Sequence, residues 1–378
     1  MIYLDHAATT PVHREVLEKM YQLESDLFGN PSSIHAAGRE AKFYLDDARS
    51  YLASTINANE QEIFFTSGGT EANNLAIIGT VMANEHKGNH IITSAQEHHA
   101  ILHIMEFLQS KGFHVTYLPV NEDGQIDPND LSRTLTNQTI LVSIMTANNE
   151  TGVVQPIEEI ATILDDHQAH FHTDAVQAYS MMPINVKKMR IDLLTTSAHK
   201  LSGPKGIGFL YKRKEIQLQP LHYGGKQERT IRPGTENVIG AIGFHHAATI
   251  AIENQSTYVE QFSLFKQKFL QTLRDEEVEF EINGNINKAI PTIVNLYFPN
   301  IASDVLLTNL DLENIAASSG SACTAGSVEP SHVLKSMFGQ TSDRIKSSLR
   351  FSFGHLNNEE NVEEAARKLA YLVKRLNR

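Results

Sequence analysis

The segment IFFTSGGTEANNLAIIGTVMA, residues 63–83, decides the fold class. It begins with an apolar run, turns at a pair of glycines, and continues with Leu75, Ile78 and Met82 at helical spacing, which predicts a strand, a glycine turn and a helix. Such a turn exposes backbone N–H groups at the positive end of a helix, where a phosphate is stabilised. Glycine turns also serve simply to reverse a chain, and for this segment alone both interpretations stay open.

The same alternation continues along the chain beyond this segment. Apolar runs and helical spacings predict strands at 90–94, 115–119, 140–145, 171–174, 191–197 and 206–211, and helices at 100–108 and 157–164. Strands that alternate with helices form mostly parallel sheets covered on both faces. We therefore expect an α/β fold with a mostly parallel seven-stranded sheet. The last two strands lie close enough in sequence for one of them to run antiparallel.

A change of pattern marks the expected domain boundary. A long apolar stretch at 235–252 is followed by the polar residues 253–256. Beyond them, further helices and strands lead to a closing helix with an apolar stripe between charged residues, which is typical of a helix packed on its own domain. The sequence thus predicts a large domain over residues 15–255 and a smaller α/β domain composed of residues 1–14 and 256–378.

Composition and charge exclude several classes of function. The 378 residues are 41% hydrophobic and carry a formal net charge of −12, which disfavours direct binding to nucleic acid. Cys323 is the one cysteine, and the N-terminal residues resemble no leader, so we expect a cytoplasmic protein with no membrane segment. The 18 histidines suggest a metal, but Ala100 follows His99 where the His-Glu-x-x-His pattern needs glutamate, and we expect no metal site.

Two polar residues stand at the ends of predicted strands. Asp174 ends an apolar run, a costly place for a carboxylate unless a cation or protonated nitrogen lies opposite, although a capping role is also open. Lys200 follows another apolar run, where α/β proteins place ligands; a merely exposed lysine is the alternative, and Lys205 is a rival beyond the strand end. A phosphate cradle, a carboxylate and an amine together predict pyridoxal phosphate as cofactor.

Cys323 lies among small residues, in the stretch AASSGSACTAGS at 316–327. A lone cysteine is usually a small buried hydrophobe. The small flanking residues instead favour exposure, and a nucleophile that must reach a substrate and then an acceptor benefits from backbone freedom. We therefore predict a reactive thiol at this position.

Ordered motifs along nearly the whole chain resemble those of the cysteine desulfurases, pyridoxal-phosphate enzymes of the class V aminotransferase type. The motifs are YLDHAATTP (3–11), GNPSSIH (29–35), TSGGTEANN (66–74), EHHA (97–100), NNETG (148–152), HTDA (172–175), HK (199–200) with GPKG (203–206), RPGT (232–235) and the stretch around Cys323. The resemblance implies the type I fold of pyridoxal-phosphate-dependent transferases. The stretch from Ser318 to Cys323 resembles the subgroup with a long, mobile cysteine loop.

By this resemblance, three residues would be catalytic: Lys200 as the Schiff-base lysine, His98 stacked on the cofactor ring, and Cys323 as the sulfur acceptor. The further cofactor contacts would be Gly69, Thr70, Ser197 and His199 at the phosphate, with Thr235 from a second subunit, Asp174 at the ring nitrogen, Gln177 at the ring oxygen and Asn149 beside the ring. Asn149 and Arg350 would bind the substrate, and the guanidinium of Arg350 would clamp its carboxylate.

The implied activity is the conversion of L-cysteine to L-alanine by a homodimer, with the sulfur passed as a persulfide on Cys323 to an acceptor protein. The acceptor stays open between a tRNA-thiolating enzyme and an iron–sulfur scaffold, because relatives that feed such scaffolds often have a longer C-terminal tail than one ending at Arg378. Two alternatives remain. One is another pyridoxal-phosphate enzyme of this fold, a selenocysteine lyase or a transaminase; the other is a non-catalytic sulfur-relay protein.

Overall fold

The computed structural model describes residues 1–320 and 330–377. Within them, the strands are β1 (Ile2–Tyr3), β2 (Ile63–Thr66), β3 (His90–Ser94), β4 (His114–Leu118), β5 (Thr139–Ser143), β6 (His170–Asp174), β7 (Leu193–Ser197), β8 (Gly208–Lys212), β9 (Glu281–Ile282), β10 (Ile293–Tyr297), β11 (Ile315–Ala316) and β12 (Ser348–Ser352). The helices are α1 (Arg14–Glu24), α2 (Ala36–Thr55), α3 (Gly69–Asn84), α4 (His99–Ser110), α5 (Pro128–Thr134), α6 (Ile157–Ile163), α7 (Val238–Glu253), α8 (Gln255–Asp275), α9 (Ser303–Leu312), α10 (His332–Phe338) and α11 (Glu359–Leu376).

The central sheet has seven strands in the order β2-β8-β7-β6-β5-β3-β4. β8 runs antiparallel to both of its neighbours, β2 and β7, and the other neighbouring pairs are parallel. The prediction of a mostly parallel seven-stranded sheet is therefore confirmed, and β8 is its antiparallel member. The segment 63–83 forms β2, a turn and most of α3, as its pattern predicts.

Alternate residues of the strands pack into separate cores on the two faces of this sheet. Phe64 and Ile91 lie in the core that also holds apolar residues of α3 and α4. Their chain neighbours Phe65 and Ile92 lie in the core on the other face, with residues of α2 and α7. Because both faces are covered, these strands are continuously apolar and do not alternate between apolar and polar residues.

A second packing unit forms around the antiparallel sheet β12-β10-β9. Its core combines Phe269 of α8, Leu306 of α9 and Leu369 of α11 with Leu4 from the N-terminal segment. β1 pairs with β11 in parallel, which joins the N-terminal residues to this unit. The expected boundary at 253–256 is a junction of two helices, since α7 ends at Glu253 and α8 begins at Gln255. The domain limits themselves stay a prediction.

One C-terminal helix packs away from that unit. Val333, Leu334 and Met337 of α10 lie in the core beneath the central sheet. The chain before residue 321 is attached to the second packing unit through β11, and the chain after residue 329 is attached to the core of the central sheet through α10. Within the described residues, no helix is both long and apolar enough to cross a bilayer.

Candidate active site

The carboxyl ends of parallel strands lie at one edge of the central sheet, where ligands bind in folds of this class. β6 ends at Asp174 and β7 ends at Ser197, and the two strands pair so that Asp174 is opposite Thr195. A short turn, Ala198–Lys200, follows β7 and holds Lys200 beside this edge. The two polar residues singled out from strand ends therefore lie on neighbouring strands.

A cavity of about 270 Å³, called the front cavity here, lies at this edge. Thr235 lies in a separate pocket with Asn30 and Lys205, and Cys323 lies outside the described residues. The front cavity is lined by all the other predicted site residues, which are Gly69, Thr70, His98, Asn149, Asp174, Gln177, Ser197, His199, Lys200 and Arg350.

Lys200 is held in place by the N-terminal segment. Its Nζ donates hydrogen bonds to the carbonyl oxygens of Ala7, at 2.5 Å, and Ala8, at 2.8 Å. The side-chain amide of Gln177 donates to the same Ala7 carbonyl at 3.0 Å. An amine fixed on a cavity wall can attach covalently to a carbonyl compound bound in that cavity.

Asp174 is buried, with 7% of its surface exposed, and it accepts two hydrogen bonds. Asn73 Nδ2 donates to Oδ2 at 2.8 Å and the backbone N–H of Val176 donates to Oδ1 at 2.9 Å. Burial raises the pKa of this carboxyl above its usual range, while the bond from Asn73, the bond from Val176 and the charge of Lys200 partly offset the rise. A protonated ring nitrogen opposite the carboxylate would stabilise its charged form.

The start of α3 provides an anion site beside the front cavity. Gly68 precedes the helix at φ +147°, a conformation that residues with a side chain rarely adopt. Among the described residues, no side chain caps the first turn, so its N–H groups are available to an anion. A second cavity of about 410 Å³ shares Gly69, Thr70, Ser197 and His199 with the front cavity. A phosphate at this position would adjoin a ring in the front cavity.

Two histidines of the site are held neutral. Burial lowers the pKa of His199 to about 4, assisted by the charges of Lys200 and Lys205. Burial also lowers the pKa of His98 to about 4, assisted first by Lys200. His98 Nδ1 accepts the N–H of Ala100 at 3.1 Å, which fixes the ring at the start of α4. A neutral imidazole in a fixed orientation can lie over a flat, positively charged ring without repelling it.

Arg350 of β12 lines the front cavity, is 2% exposed and donates side-chain hydrogen bonds to two residues. Its Nη1 donates to the Asn149 carbonyl at 2.9 Å and its Nη2 to Asp5 Oδ1 at 2.8 Å. Within the described residues, Arg350 Nε and Asn149 Oδ1 are buried without a hydrogen-bond partner. Unpaired buried polar atoms are costly unless a ligand satisfies them, and a carboxylate together with an amino group would pair with this donor and this acceptor.

Both ends of the segment 321–329 are attached near this site. The backbones of Ser318 and Arg350 exchange two hydrogen bonds, at 3.2 and 2.6 Å. Ser331 Oγ donates to Glu150 Oε2 at 2.5 Å. Ser318 and Ser331, on either side of residues 321–329, therefore contact residues that line or adjoin the front cavity.

Two supporting residues were not predicted from the sequence. Asn73 orients Asp174, and Asp5 orients Arg350. Both stand inside motifs that were recognised, but their roles depend on partners more than a hundred positions away in the chain. A chemical signal could have identified them. Asp174 and Arg350, which were expected to bind charged groups, each need a polar side chain to orient them, and an amide and a carboxylate in the recognised motifs are suitable partners.

Comparisons with known proteins agree with this geometry. The model of the family described as aminotransferase class-V matches residues 2–364. "Putative cysteine desulfurase IscS 1" of Bacillus subtilis (strain 168) is 53% identical over 375 residues, 99% of each chain. "Cysteine desulfurase IscS" of Dictyoglomus turgidum is 43% identical over 99% of this chain and 95% of its own. A solved "NifS-like protein" superimposes with a TM-score of 0.92, at 34% identity over 99% of both chains.

Proposed function

This chain belongs to the aminotransferase class-V family, and we propose that its front cavity is the active site of a cysteine desulfurase that converts L-cysteine to L-alanine and passes the sulfur on as a persulfide. Its similarity along the whole chain to proteins named cysteine desulfurase supports both this activity and the pyridoxal-phosphate cofactor. The observation that carries the assignment of residues is their convergence on one cavity: an amine, a carboxylate, an anion cradle and a guanidinium.

The residues present fit pyridoxal phosphate. The first turn of α3 with Ser197 and His199 would hold its phosphate, Asp174 its protonated ring nitrogen and Lys200 its aldehyde carbon. When bound, the cofactor withdraws electrons from the α-carbon of the substrate. His98 would cover the ring and exclude water from that face.

Lys200 would act as the base at the substrate. As a neutral amine it would accept the α-proton of the substrate. The carbonyls of Ala7 and Ala8 would then hold the ammonium that results. Arg350 would fix the substrate carboxylate through Nε, and Asn149 would contact its amino group.

Cys323 would receive the sulfur. Its thiolate attacks the substrate sulfur, a sulfur–sulfur bond forms, and the bond from sulfur to the β-carbon breaks with its electron pair left on the carbon side. Protonation of that carbon completes alanine. The support for Cys323 is the sequence, which contains this one cysteine, in a stretch of small residues.

A homodimer is part of the proposal. Four large apolar side chains on α1, α2 and the chain between them are highly exposed: Tyr21 at 84%, Phe28 at 80%, Ile34 at 92% and Phe43 at 66%. Exposed apolar patches of this kind favour an interface. Thr235 lies outside the front cavity of its own chain, which agrees with a role in the site of a second subunit.

The physiological acceptor is proposed as a class only: a protein thiol of a tRNA-thiolating enzyme or of an iron–sulfur scaffold, in the cytoplasm. Sulfur-labelled L-cysteine, offered to the loaded enzyme together with both kinds of acceptor, would show which of them gains label.

One experiment tests the activity itself. The purified protein, loaded with pyridoxal phosphate and given L-cysteine, should form alanine and one persulfide per chain at Cys323. A keto acid product would indicate a transaminase, and turnover confined to L-selenocysteine would indicate a lyase. A protein that binds no cofactor would be a relay protein, and each of these results would overturn the proposal.

A further inference from the structure

A third cavity, called the rear cavity here, shares Lys200 with the front cavity. The volume of this cavity that is available to water-sized molecules is about 60 Å³, which is enough for a small group of waters. Lys200, Ala7 and Gln177 line both this cavity and the front cavity, so they form the wall between the two. The other walls come from the N-terminal segment, α7, α8 and the residues after β12.

Three buried polar atoms belong to residues that line the rear cavity. His6 is 3% exposed and Ser180 is 1% exposed. Within the described residues, the two ring nitrogens of His6 and the hydroxyl of Ser180 have no partner in hydrogen-bond geometry. Leaving such groups unpaired costs free energy, whereas a small molecule that both donates and accepts hydrogen bonds would satisfy them. Water is the molecule that fits this volume and these groups.

A row of three histidines lines the rear cavity. The ring centroids of His6 and His355 are 6.1 Å apart, and those of His355 and His13 are 5.8 Å apart. His13 and His355 are half-buried, whereas His6 is buried. Ser202 Oγ lies 3.0 Å from His355 Nδ1 and links the row to the chain after Lys200. The row therefore runs along the cavity wall from a buried histidine to two half-buried ones.

The inner histidines are suited to pass protons. Burial lowers the pKa of His6 to about 4, with the charge of His355 adding to this effect and the nearby Ser352 backbone partly opposing it. Burial and His13 also lower the pKa of His355. A neutral imidazole donates at one nitrogen and accepts at the other, so it can take a proton on one side while it releases one on the other.

We propose that the rear cavity binds a small group of water molecules which, with His6, His355 and His13, carries protons between Lys200 and solvent. In each transfer the Lys200 ammonium gives a proton to a cavity water, that water gives one to the acceptor nitrogen of His6, and His6 releases its other proton outward. No electrons are transferred, and Lys200 returns to the neutral amine. The inference rests on the proposed role of Lys200 as the base that takes the α-proton.

Isotope washout tests this route. Loaded wild-type enzyme is given L-cysteine carrying deuterium at the α-carbon, in ordinary water, and the alanine is analysed by mass spectrometry. Deuterium taken by Lys200 either returns to the product or exchanges with solvent, and the fraction retained reports that competition independently of how much enzyme is active. We expect little retention in wild type and several-fold more in His6→Leu, which is similar in size and has no ring nitrogen. A merely structural role for His6 would not move this fraction.

Matched variants sharpen the test. His6→Asn keeps a donor and an acceptor and should restore much of the washout. His355→Leu interrupts the row further out and should raise retention if His6→Leu does not fold. Met181→Leu alters the wall of the same cavity without removing a polar group and should behave as wild type. The inference would be overturned if both His6→Leu and His355→Leu retained as little deuterium in alanine as wild type does. It would also be overturned if wild type retained all of the deuterium. Absence of alanine from wild type would instead overturn the proposed function.

A second measurement needs no cofactor. A high-resolution crystal structure of the protein purified without pyridoxal phosphate should show water oxygens within hydrogen-bond distance of His6 and Ser180. A dry rear cavity, or one filled by repacked side chains, would overturn the inference even if the enzyme is an active desulfurase.

Discussion

Asp5 and Arg350, at opposite ends of the sequence, form an ion pair of 2.8 Å at the wall of the front cavity, where their side chains are 15% and 2% exposed. The pair fixes the guanidinium so that Nη1 and Nη2 are occupied, while Nε has no partner among the described residues. A substrate carboxylate would therefore meet a donor that is already oriented.

Arg350→Lys should raise the KM for L-cysteine by about 10- to 100-fold, because a charge-assisted hydrogen bond contributes about 1.5–3 kcal/mol and lysine cannot reproduce the planar fork. Steady-state kinetics measure the change. Arg367→Lys, at an exposed position on α11, serves as the control and should leave KM unaltered. An unchanged KM in Arg350→Lys would remove Arg350 from the substrate site.

Lys200→Arg should abolish covalent attachment of pyridoxal phosphate while the positive charge is kept. Borohydride treatment followed by mass spectrometry should show the cofactor mass on a peptide containing residue 200 in wild type and on no peptide in the variant. Lys205→Arg is the matched control, because Lys205 lines the neighbouring cavity and not the front one. Attachment that survives in Lys200→Arg and disappears in Lys205→Arg would reverse the assignment.

Asp174→Asn should lower kcat by about 100-fold or more, since an amide cannot keep a ring nitrogen protonated, while the shape of the site and its contact with Asn73 are retained. Visible absorbance of the loaded protein would show that cofactor still binds. Asp165→Asn, at a half-exposed surface carboxylate, provides the comparison. A normal kcat in Asp174→Asn would contradict the role given to this carboxylate.

Cys323→Ser should bind cofactor with the wild-type visible spectrum but form no persulfide and release alanine at a small fraction of the wild-type rate. Because the chain has one cysteine, mass spectrometry of the intact protein reads out sulfur transfer without ambiguity. Thr324→Ser, next to it in sequence, should retain both activities. Persulfide-dependent sulfur release from Cys323→Ser would mean that another nucleophile takes the sulfur.

Buried His172 should make the protein lose stability in acid. Burial lowers its pKa from 6.5 to about 3, so below pH 6.5 the unfolded chain binds a proton that the folded chain does not. Stability from this group is complete above pH 6.5 and is lost progressively as pH falls toward about 3. At pH 5 the loss is about 2 kcal/mol.

Urea unfolding of the cofactor-free protein at pH 7 and pH 5 measures this effect. The difference in free energy of unfolding between the two pH values should shrink by about 2 kcal/mol in His172→Asn, whatever its absolute stability. His86→Asn, at an exposed position, should keep the wild-type difference. Equal pH dependence in all three proteins would show that His172 is protonated equally in the folded and unfolded chain.

The parts of the site that the sequence predicts are those fixed locally. Asp174 and Lys200 stand immediately after apolar runs, and the position of a strand end in an α/β sheet determines where its next side chains lie. The antiparallel direction of β8 was left open, because a short connection between strands does not by itself determine direction. What was missed depends on distant pairings: Asp5 meets Arg350 because residue 5 forms a bridge with Ser352 at the end of β12.

The rear cavity has no signature in the sequence for the same reason. His6, Ser180 and His355 come from three separate parts of the chain and are brought together by the packing of the N-terminal segment between the two units. Gly354 permits this approach, because a Cβ at that position would lie 1.9 Å from His6 Cδ2. The sequence around Gly354 does not reveal that this residue contacts His6.

The backbone pairing of Ser318 with Arg350 would limit how far a sulfur atom carried on Cys323 can travel. Five peptide units separate Ser318 from Cys323, and a fully extended chain advances at most about 3.3–3.6 Å per residue, so the tether has a radius of about 17 Å. While that pairing holds, an acceptor of the proposed kind would have to bring its own thiol inside a sphere of this size centred beside Arg350. The length of the segment 318–323 would therefore determine which acceptors can receive sulfur. Inserting or deleting residues in it should change the choice of acceptor before it changes the rate at which the persulfide forms.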